Sequence, residues 1–177
     1  MRPLVLVALL VAVVVVVAAG AVLALRTTRD GRAGSGVVSH VRDGDTIELT
    51  NGDVVRLVQI DTPELSEEEC FAQRARALLR RLLPLGTHVR VVEDPTLDHV
   101  DRYGRRLAYV FKGEVNVNRA LVARGAAGAW FFEGSRGRYA PSLLAAERRA
   151  RAERVGLWRR CPGTQLDPLA PIASSTH

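Results

Sequence analysis

Residues 37–60 read VVSHVRDGDTIELTNGDVVRLVQI, in which three short runs rich in branched aliphatic side chains are separated by turn-forming residues. Branched side chains favour an extended backbone, so each run is predicted to be a strand. The predicted strands cover residues 37–41, 47–49 and 54–60. Asn51 and Gly52 lie between the second and third runs, and this pair is typical of a tight hairpin turn. The folded domain is therefore expected to begin near Val37 with a three-stranded meander.

After this meander, the sequence predicts helices and two further short strands. Ser66 followed by Glu69 forms a capping-box pattern, which predicts the start of a helix. The apolar residues that then recur at helical spacing are Phe71, Ala75, Leu78, Leu79, Leu82 and Leu83. Two further strands are predicted at 89–92 and 107–111, and two further helices at 117–124 and 142–155. The expected fold is α+β, with about three helices around a five-stranded Greek-key barrel of the OB type.

The amino-terminal residues 3–25 form an uncharged run rich in Val, Leu and Ala. As a helix, this run would extend roughly 34 Å, which is enough to cross a bilayer. A secretory signal usually has a shorter apolar region, so residues 1–25 are predicted to be an uncleaved transmembrane anchor. Cleavage at the small residues 19–21 remains the alternative. The folded domain is therefore expected outside the membrane, either anchored or secreted.

The chain of 177 residues suits one domain with appendages. Residues 26–36, which mix Gly, Thr and Ser with charges, are predicted to be a flexible linker. The predicted domain covers 37–161, and residues 162–177 are predicted to be a flexible tail. Residues 37–177 contain 21 basic and 18 acidic side chains, so this part of the chain is mildly basic at +3, which permits a polyanionic substrate without requiring one.

The chain has two cysteines, Cys70 and Cys161, and both lie outside the apolar run. An even number of cysteines in an exported domain favours a disulfide, here between the predicted start of a helix and the end of the domain. Two unrelated thiols are the alternative.

Three polar clusters follow the predicted strands. They are Asp43-Gly-Asp-Thr46, the run from Arg56 to Asp61-Thr-Pro-Glu64, and Asp101-Arg-Tyr-Gly-Arg105. Clustered carboxylate oxygens suit a hard divalent cation, and arginine forks suit a phosphate group. A remaining carboxylate is able to take the proton of an attacking water. The clusters therefore supply what metal-assisted cleavage of a phosphodiester requires.

These motifs, in this order and spacing, resemble those of the staphylococcal nuclease (thermonuclease) family. The matching segments are Asp43-Gly-Asp-Thr46, Arg56-Leu-Val-Gln-Ile-Asp-Thr-Pro-Glu64, Asp101-Arg-Tyr-Gly-Arg-Arg-Leu-Ala-Tyr109 and Val117-Asn-Arg-Ala-Leu-Val122. The resemblance implies a Ca²⁺-dependent nuclease that hydrolyses DNA, and also RNA, with little sequence specificity and leaves 3′-phosphorylated products. Single strands or frayed duplex are the implied substrates, and a monomer is expected.

The resemblance also implies roles for individual residues. The implied calcium ligands are the side chains of Asp45 and Asp61 and the backbone carbonyl of Thr62. The implied catalytic residues are Glu64 as general base and Arg56 with Arg105 as phosphate-binding groups. A carboxylate pair and a carbonyl leave room for waters and a phosphate oxygen around Ca²⁺.

Substrate binding is implied for Tyr103 and Phe131, which correspond to aromatic positions that contact the base, and for Arg102, which would add phosphate affinity. Stacking on a ring tolerates any base, as a nuclease of weak specificity needs. Trp130, Phe131 and Phe132 are consecutive, so this run could equally belong to the core or face a membrane.

The rival interpretation is a non-catalytic OB-fold module that captures nucleic-acid strands at the cell surface. A module that only binds has no need of the complete catalytic set. Here that set is complete, with Asp45, Asp61, Glu64, Arg56 and Arg105 all present, and this favours the enzyme.

Overall fold

The computed structural model describes residues 33–164 and Leu169. Within those residues, no helix is both long enough and apolar enough to span a membrane. The predicted anchor or signal at 1–25, most of the predicted linker and nearly all of the predicted tail lie outside the described part of the chain.

Eight strands are described, and five of them form a closed barrel. The strands are β1 (Ala33–Val41), β2 (Thr46–Leu49), β3 (Val54–Leu57), β4 (Ile60–Asp61), β5 (His88–Val92), β6 (Arg106–Lys112), β7 (Val115–Asn116) and β8 (Gly128–Ala129). The barrel order is β3-β2-β1-β5-β6 with antiparallel neighbours, and β3 closes the barrel by pairing in parallel with β6. This closure confirms the predicted five-stranded barrel.

The first strand begins at Ala33, upstream of the predicted domain start at Val37. Residues 33–37 pair with β5, whereas the rest of β1 pairs with β2, so residues 33–36 belong to the barrel and the predicted linker is wrong there. A Cβ atom on Gly36 would lie 2.6 Å from Leu49 Cδ1. Gly36 therefore lets the strand pack closely against the Leu49 side chain. The composition of residues 33–36 is typical of a linker, yet the segment forms a strand.

The run at 54–60, predicted to be one strand, is broken after Leu57. Gln59 has a positive φ of 62°, and the chain then turns into β4, which pairs with β8. The buried Gln59 side chain accepts hydrogen bonds from the Tyr109 hydroxyl at 3.1 Å and from the Gly137 amide at 3.0 Å. These long-range contacts stabilise the turn, and β4 consequently places Asp61 beside the barrel.

Among the described residues, four α-helices pack outside the barrel. They are α1 (Ala72–Leu82), α2 (Val117–Ala123), α3 (Ala140–Ala152) and the single turn α4 (Leu157–Arg160). The predicted start of α1 is wrong, because Ser66 and Glu69 precede the helix and its N-cap is Phe71, with a φ of 78° and no side-chain cap. The Glu69 carboxylate instead accepts a hydrogen bond from the Glu64 amide at 2.7 Å.

The hydrophobic core fills the barrel and continues beneath α1, α2 and α3. Asn118, on α2, is fully buried and ties this helix to the barrel. Its Nδ2 donates to the Val58 carbonyl at 2.8 Å, and its Oδ1 accepts from the Val110 amide at 3.0 Å. A buried amide with satisfied donors and acceptors fixes the helix in one orientation.

Cys70 and Cys161 form a disulfide, with a Cα–Cα distance of 5.9 Å. The predicted bridge is confirmed, and the alternative of two unrelated thiols is wrong. The bond joins the residue before the N-cap of α1 to the residue after α4, across a sequence separation of 91. By the chain-entropy model, closing a loop of this length stabilises the fold by about 4 kcal/mol.

Candidate active site

Arg56 lies at the centre of the site. It faces Thr46 of β2 in the strand register, and its guanidinium is almost fully buried. Its Nη2 lies 2.7 Å from Asp61 Oδ1 and 3.3 Å from Asp45 Oδ2, while its Nη1 donates to the Ile60 carbonyl at 3.1 Å. The structure therefore brings together three of the predicted site residues from separate segments of the chain.

Gly44 allows the two acidic loops to approach each other. A Cβ atom at this position would lie 2.6 Å from Thr62 Oγ1 and 3.0 Å from the Ala75 Cβ. Asp43 closes the turn before it, because its Oδ1 accepts a hydrogen bond from the Asp45 amide at 3.0 Å. The Asp-Gly-Asp motif thus packs against both the Thr62 loop and the first turns of α1.

Negative charge exceeds positive charge around Arg56. Although burial lowers the pKa of Arg56, the charges of Asp45 and Asp61 outweigh this effect and raise it. Asp43 and Glu64 lie close enough to add to the same effect. Four carboxylates therefore surround one buried guanidinium, and the cluster is suited to bind a further cation.

The same excess of negative charge acts on the carboxylates at the edge of the cluster. Partial removal from solvent, followed by the charges of Asp45 and Asp43, raises the pKa of Glu64. Burial and then the charge of Asp45 raise the pKa of Asp43 in the same way. Both carboxylates consequently hold a proton more readily than they would in water.

Glu64 is exposed to solvent, unlike Asp45 and Asp61. Two hydrogen bonds to Glu69 fix the Glu64 backbone. The Glu64 amide donates to the Glu69 carboxylate, and the Glu64 carbonyl accepts from the Glu69 amide at 3.1 Å. Glu69 in turn precedes the disulfide-bonded Cys70. The predicted general base is therefore open to water but fixed at its backbone.

Arg105 reaches the site from the loop before β6. Asp101 positions it, because one carboxylate oxygen accepts from the Arg105 amide at 2.9 Å and the other pairs with Nε at 2.7 Å. The Arg105 Nη1 lies 3.5 Å from the Thr46 hydroxyl, which follows Asp45 in sequence. This places a second, partly exposed guanidinium next to the acidic cluster.

The family described as Staphylococcal nuclease homologue matches residues 54–160, which is more than half of the chain. The chain belongs to this family. The matched region includes Arg56, Asp61, Glu64, Arg105 and the disulfide-bonded Cys70, whereas the Asp43–Thr46 turn and Cys161 lie outside it.

Curated relatives agree with this assignment. Protein ParB of Escherichia coli is 38% identical over 135 residues, which cover 70% of this chain and 71% of ParB. The thermonuclease of Staphylococcus intermedius is 30% identical over 142 residues, covering 76% of this chain and 82% of that protein. An uncharacterized endonuclease of Haemophilus influenzae is 34% identical over 125 residues, which span 68% of this chain and 64% of the endonuclease.

The donor set of the acidic cluster bears on whether the site suits Ca²⁺. Across residues 33–164, no three His, Cys, Asp or Glu side chains are gathered into a metal cage. The candidate set instead consists of two buried carboxylates, Asp45 and Asp61, with the adjacent Thr62. Oxygen donors alone and an excess of negative charge match what Ca²⁺ prefers, so the residues fit the ion.

Tyr103 lies on the surface, as base stacking would require, and is 67% exposed. Two guanidinium groups lie near its ring, with Arg102 Cζ at 4.8 Å and Arg105 Cζ at 5.3 Å from the centroid. Arg102 also donates to the Tyr103 hydroxyl at 2.6 Å. The three predicted residues thus form one exposed aromatic and cationic surface beside the acidic cluster.

The predicted base contact of Phe131 is wrong, because its ring is fully buried in the core. The structure places Trp130 beside the site instead, with its ring centroid 5.2 Å from Arg56 Cζ. Phe132 is 57% exposed and packs against Trp130 at 5.9 Å between centroids. Successive side chains alternate between faces in extended chain, so alternation was the signal that could have separated Phe131 from its neighbours.

Proposed function

We propose that this protein is a Ca²⁺-dependent nuclease that hydrolyses phosphodiester bonds of DNA and RNA with little sequence specificity. The observation that carries the proposal is the surplus of carboxylates around buried Arg56, with Glu64 exposed at the edge of the cluster. Family membership and relatives named thermonuclease and endonuclease support the same activity.

Asp45, Asp61 and the carbonyl of Thr62 are the groups that would hold the ion. Bound there, Ca²⁺ would supply positive charge that polarises a non-bridging phosphate oxygen. The chain contributes the remaining chemistry through Glu64 and two arginines.

Glu64 accepts a proton from the water that attacks phosphorus. The new bond joins the water oxygen to phosphorus, and the bond from phosphorus to the 5′ oxygen breaks. The leaving 5′ oxygen takes up a proton, and the product strand keeps the phosphate on its 3′ oxygen. Glu64 is suited to this role because its side chain is exposed to water at the edge of the cluster.

Arg56 and Arg105 stabilise the charge that accumulates on the phosphate oxygens as the bond breaks. Their preorganised positions matter because fixed donors need no rearrangement during the reaction. Asp101 orders Arg105, and the ion pairs with Asp45 and Asp61 order Arg56. Guanidinium forks complement phosphate oxygens better than a single ammonium group does.

Unpaired or frayed strands are the proposed substrates. Tyr103 offers an exposed ring beside the site, and stacking on it is possible only for a base that has left its duplex. Base stacking carries little sequence information, which agrees with weak specificity.

The proposed location is the outer side of a bacterial cytoplasmic membrane, or the medium if residues 1–25 are cleaved. The disulfide between Cys70 and Cys161 supports an oxidising compartment. The uncharged run at 3–25 is the sequence feature that supports export.

The decisive experiment measures cleavage of labelled single-stranded DNA by the purified, oxidised protein, with Ca²⁺ and then with a chelator. Glu64→Gln is compared with Glu67→Gln, a matched change at an exposed glutamate in the same loop. We expect cleavage that requires Ca²⁺, falls by orders of magnitude in Glu64→Gln and persists in Glu67→Gln.

Other outcomes would redirect the assignment. Tight binding of the strand without cleavage would identify the non-catalytic surface module. Equal activity of Glu64→Gln and the unmodified protein would remove Glu64 from its proposed role.

A further inference from the structure

A second basic surface lies away from Arg56 and Arg105. It is a cavity of about 320 Å³, here called the arginine pocket. Its walls include the side chains of Phe71, Arg74, Leu78, Arg81, Arg124 and Arg160. The arginines come from α1, from the end of α2 and from α4, so only the folded chain brings them together.

The four guanidinium groups of the arginine pocket lack acidic partners. Across residues 33–164, none of the four forms an ion pair with a carboxylate. Arg124 donates only to the neutral Ala120 carbonyl, at 3.1 Å. Four exposed positive charges converging without compensation attract an anion of several charges.

The arginine pocket also has an apolar wall. Phe71 and Leu78 are half-buried and line it beside the charged groups. A free phosphate ion would use only the arginines, whereas a nucleotide unit also presents a sugar and a base to apolar side chains. The combined lining therefore favours a nucleic-acid strand over an inorganic anion.

The walls of the arginine pocket are fixed to one another. The Leu157 amide donates to the Gly125 carbonyl at 2.8 Å, and a Cβ atom on Gly156 would lie 2.3 Å from the same oxygen. The disulfide joins the residues next to Phe71 and Arg160. Such a preformed surface loses little conformational entropy when it binds.

Helix α1 connects the arginine pocket with the acidic cluster. Ala75 packs against the Gly44 turn, because a Cβ atom added to Gly44 would lie only 3.0 Å from the Ala75 Cβ. Arg74, the preceding residue, lines the pocket. One helix thus backs the candidate active site on one face and presents the arginine pocket on another.

We propose that the arginine pocket binds the phosphate backbone of a single-stranded nucleic acid outside the bond being cleaved. It is a second binding site for the same strand, and it extends the length of substrate that the protein recognises. The proposal rests on the proposed nuclease function for its substrate class.

The test compares two double variants of the full chain with equal charge changes. Arg81→Gln with Arg160→Gln removes two pocket arginines, and Arg80→Gln with Arg159→Gln removes their exposed sequence neighbours, which do not line the pocket. Each variant is assayed with a strand of about 16 nucleotides, near the upper site size of one OB fold, and with a dinucleotide.

For the pocket variant we expect KM on the long strand to rise about tenfold, with kcat and dinucleotide cleavage unchanged. The slope of log binding constant against log salt should fall in magnitude by about 1.4, because two contacts to single-stranded phosphates are lost. The matched variant should stay within about twofold of the unmodified protein. Arg81→Lys with Arg160→Lys should restore most of the affinity, and thermal unfolding checks that every variant folds.

Equal effects of the two double variants would overturn the arginine pocket as a specific site. Vesicles containing phosphatidylserine are the second probe. If the pocket variant loses vesicle binding while its KM for the long strand is unchanged, the pocket binds a membrane and the proposal is wrong.

The arginine pocket can also be tested if the protein proves not to be a nuclease. If the unmodified protein cleaves nothing in Ca²⁺, equilibrium binding of the same labelled strand in chelator still compares the two variants. Weaker binding by the pocket variant alone would then support the pocket, and equal binding by both would overturn it.

Discussion

Two arginines on paired strands have different surroundings. Arg56 lies on β3 and Arg106 on β6, and Val55 is the register partner of Arg106. Arg106 contacts two carboxylates, with Nη1 2.6 Å from Asp53 and Nη2 2.8 Å from Glu93. Arg56 also contacts two, but it is more buried and further carboxylates lie nearby.

The pKa shifts show what this difference means. The Arg106 hydrogen bond lowers the pKa of Asp53, so this carboxylate is stabilised in its charged form. Around Arg56, burial and neighbouring carboxylates raise the pKa of Asp43 and Glu64. The Arg106 cluster is therefore a structural ion pair network, whereas the Arg56 cluster holds negative charge that its own arginine does not neutralise.

The largest expected contrast is in stability. Arg56→Met would leave Asp45 and Asp61 buried without their cation and should lower the free energy of unfolding by about 3–5 kcal/mol. Arg106→Met removes a partly exposed pair with Asp53 and also leaves the buried Glu93 without this partner, so the expected loss is smaller, about 1–3 kcal/mol. Urea denaturation of both variants without Ca²⁺ measures the difference, and equal losses would contradict it.

The second largest contrast is expected in catalytic activity, which should depend on the Arg56 cluster and not on the Arg106 cluster. Asp61→Asn should lower kcat/KM on single-stranded DNA by at least about 100-fold, or about 2.7 kcal/mol, because it removes a proposed calcium ligand. Asp53→Asn, the matched change beside Arg106, should leave kcat/KM within about twofold. Steady-state kinetics in saturating Ca²⁺ provide the test, and a large loss in both variants would mean that Asp61 acts only through stability.

Bound Ca²⁺ should raise the Tm of the protein, and this rise should depend on the Arg56 cluster and not on the Arg106 cluster. At about 100 times the Kd, bound Ca²⁺ would add about 2.7 kcal/mol and raise Tm by several degrees. Asp45→Asn should abolish this rise, whereas Asp53→Asn should retain it. Calorimetry with Ca²⁺ and with Mg²⁺ measures the shifts, and an unchanged rise in Asp45→Asn would place the ion elsewhere.

The smallest contrast concerns pH in calcium-free buffer. Because Glu64 has a raised pKa, its charged form destabilises the fold at neutral pH, and this cost disappears as the pH falls below its ordinary value of 4.5. Asp53 has a lowered pKa, so it stabilises the fold at neutral pH and loses that effect as the pH falls below its ordinary value of 3.8.

Variants at the two positions should therefore differ from the parent protein in opposite directions. At neutral pH, Glu64→Gln should be more stable than the parent and Asp53→Asn less stable, and both differences should vanish in acid. Unfolding free energies measured across the acid range test both signs, and the same sign for both variants would contradict the contrast.

The strand pattern and the polar motifs predicted much of the molecule. The five-stranded barrel was predicted correctly from the short strands, and the folded chain brings Asp45, Asp61 and Arg56 together. Local patterns failed where a competing contact decided the conformation. Ser66 and Glu69 satisfied a capping rule, yet Glu69 binds the Glu64 amide instead.

The aromatic run shows the same limit. Composition made Trp130 and Phe131 equivalent, but the pairing of β4 with β8 directs Phe131 into the core and leaves Trp130 beside Arg56. Alternation separates the two faces of an extended segment, but which face is buried depends on what packs there, and a single segment does not contain that second piece of information.

The amino-acid sequence by itself determined the kinds of chemical group available and the order in which strands deliver them, because both depend on local composition and spacing. Only the tertiary structure decided that the carboxylates around Arg56 outnumber its charge and that four arginines converge without acidic partners among the described residues. Both properties are sums of charge and burial over residues distant in sequence, so they exist only once the chain is folded.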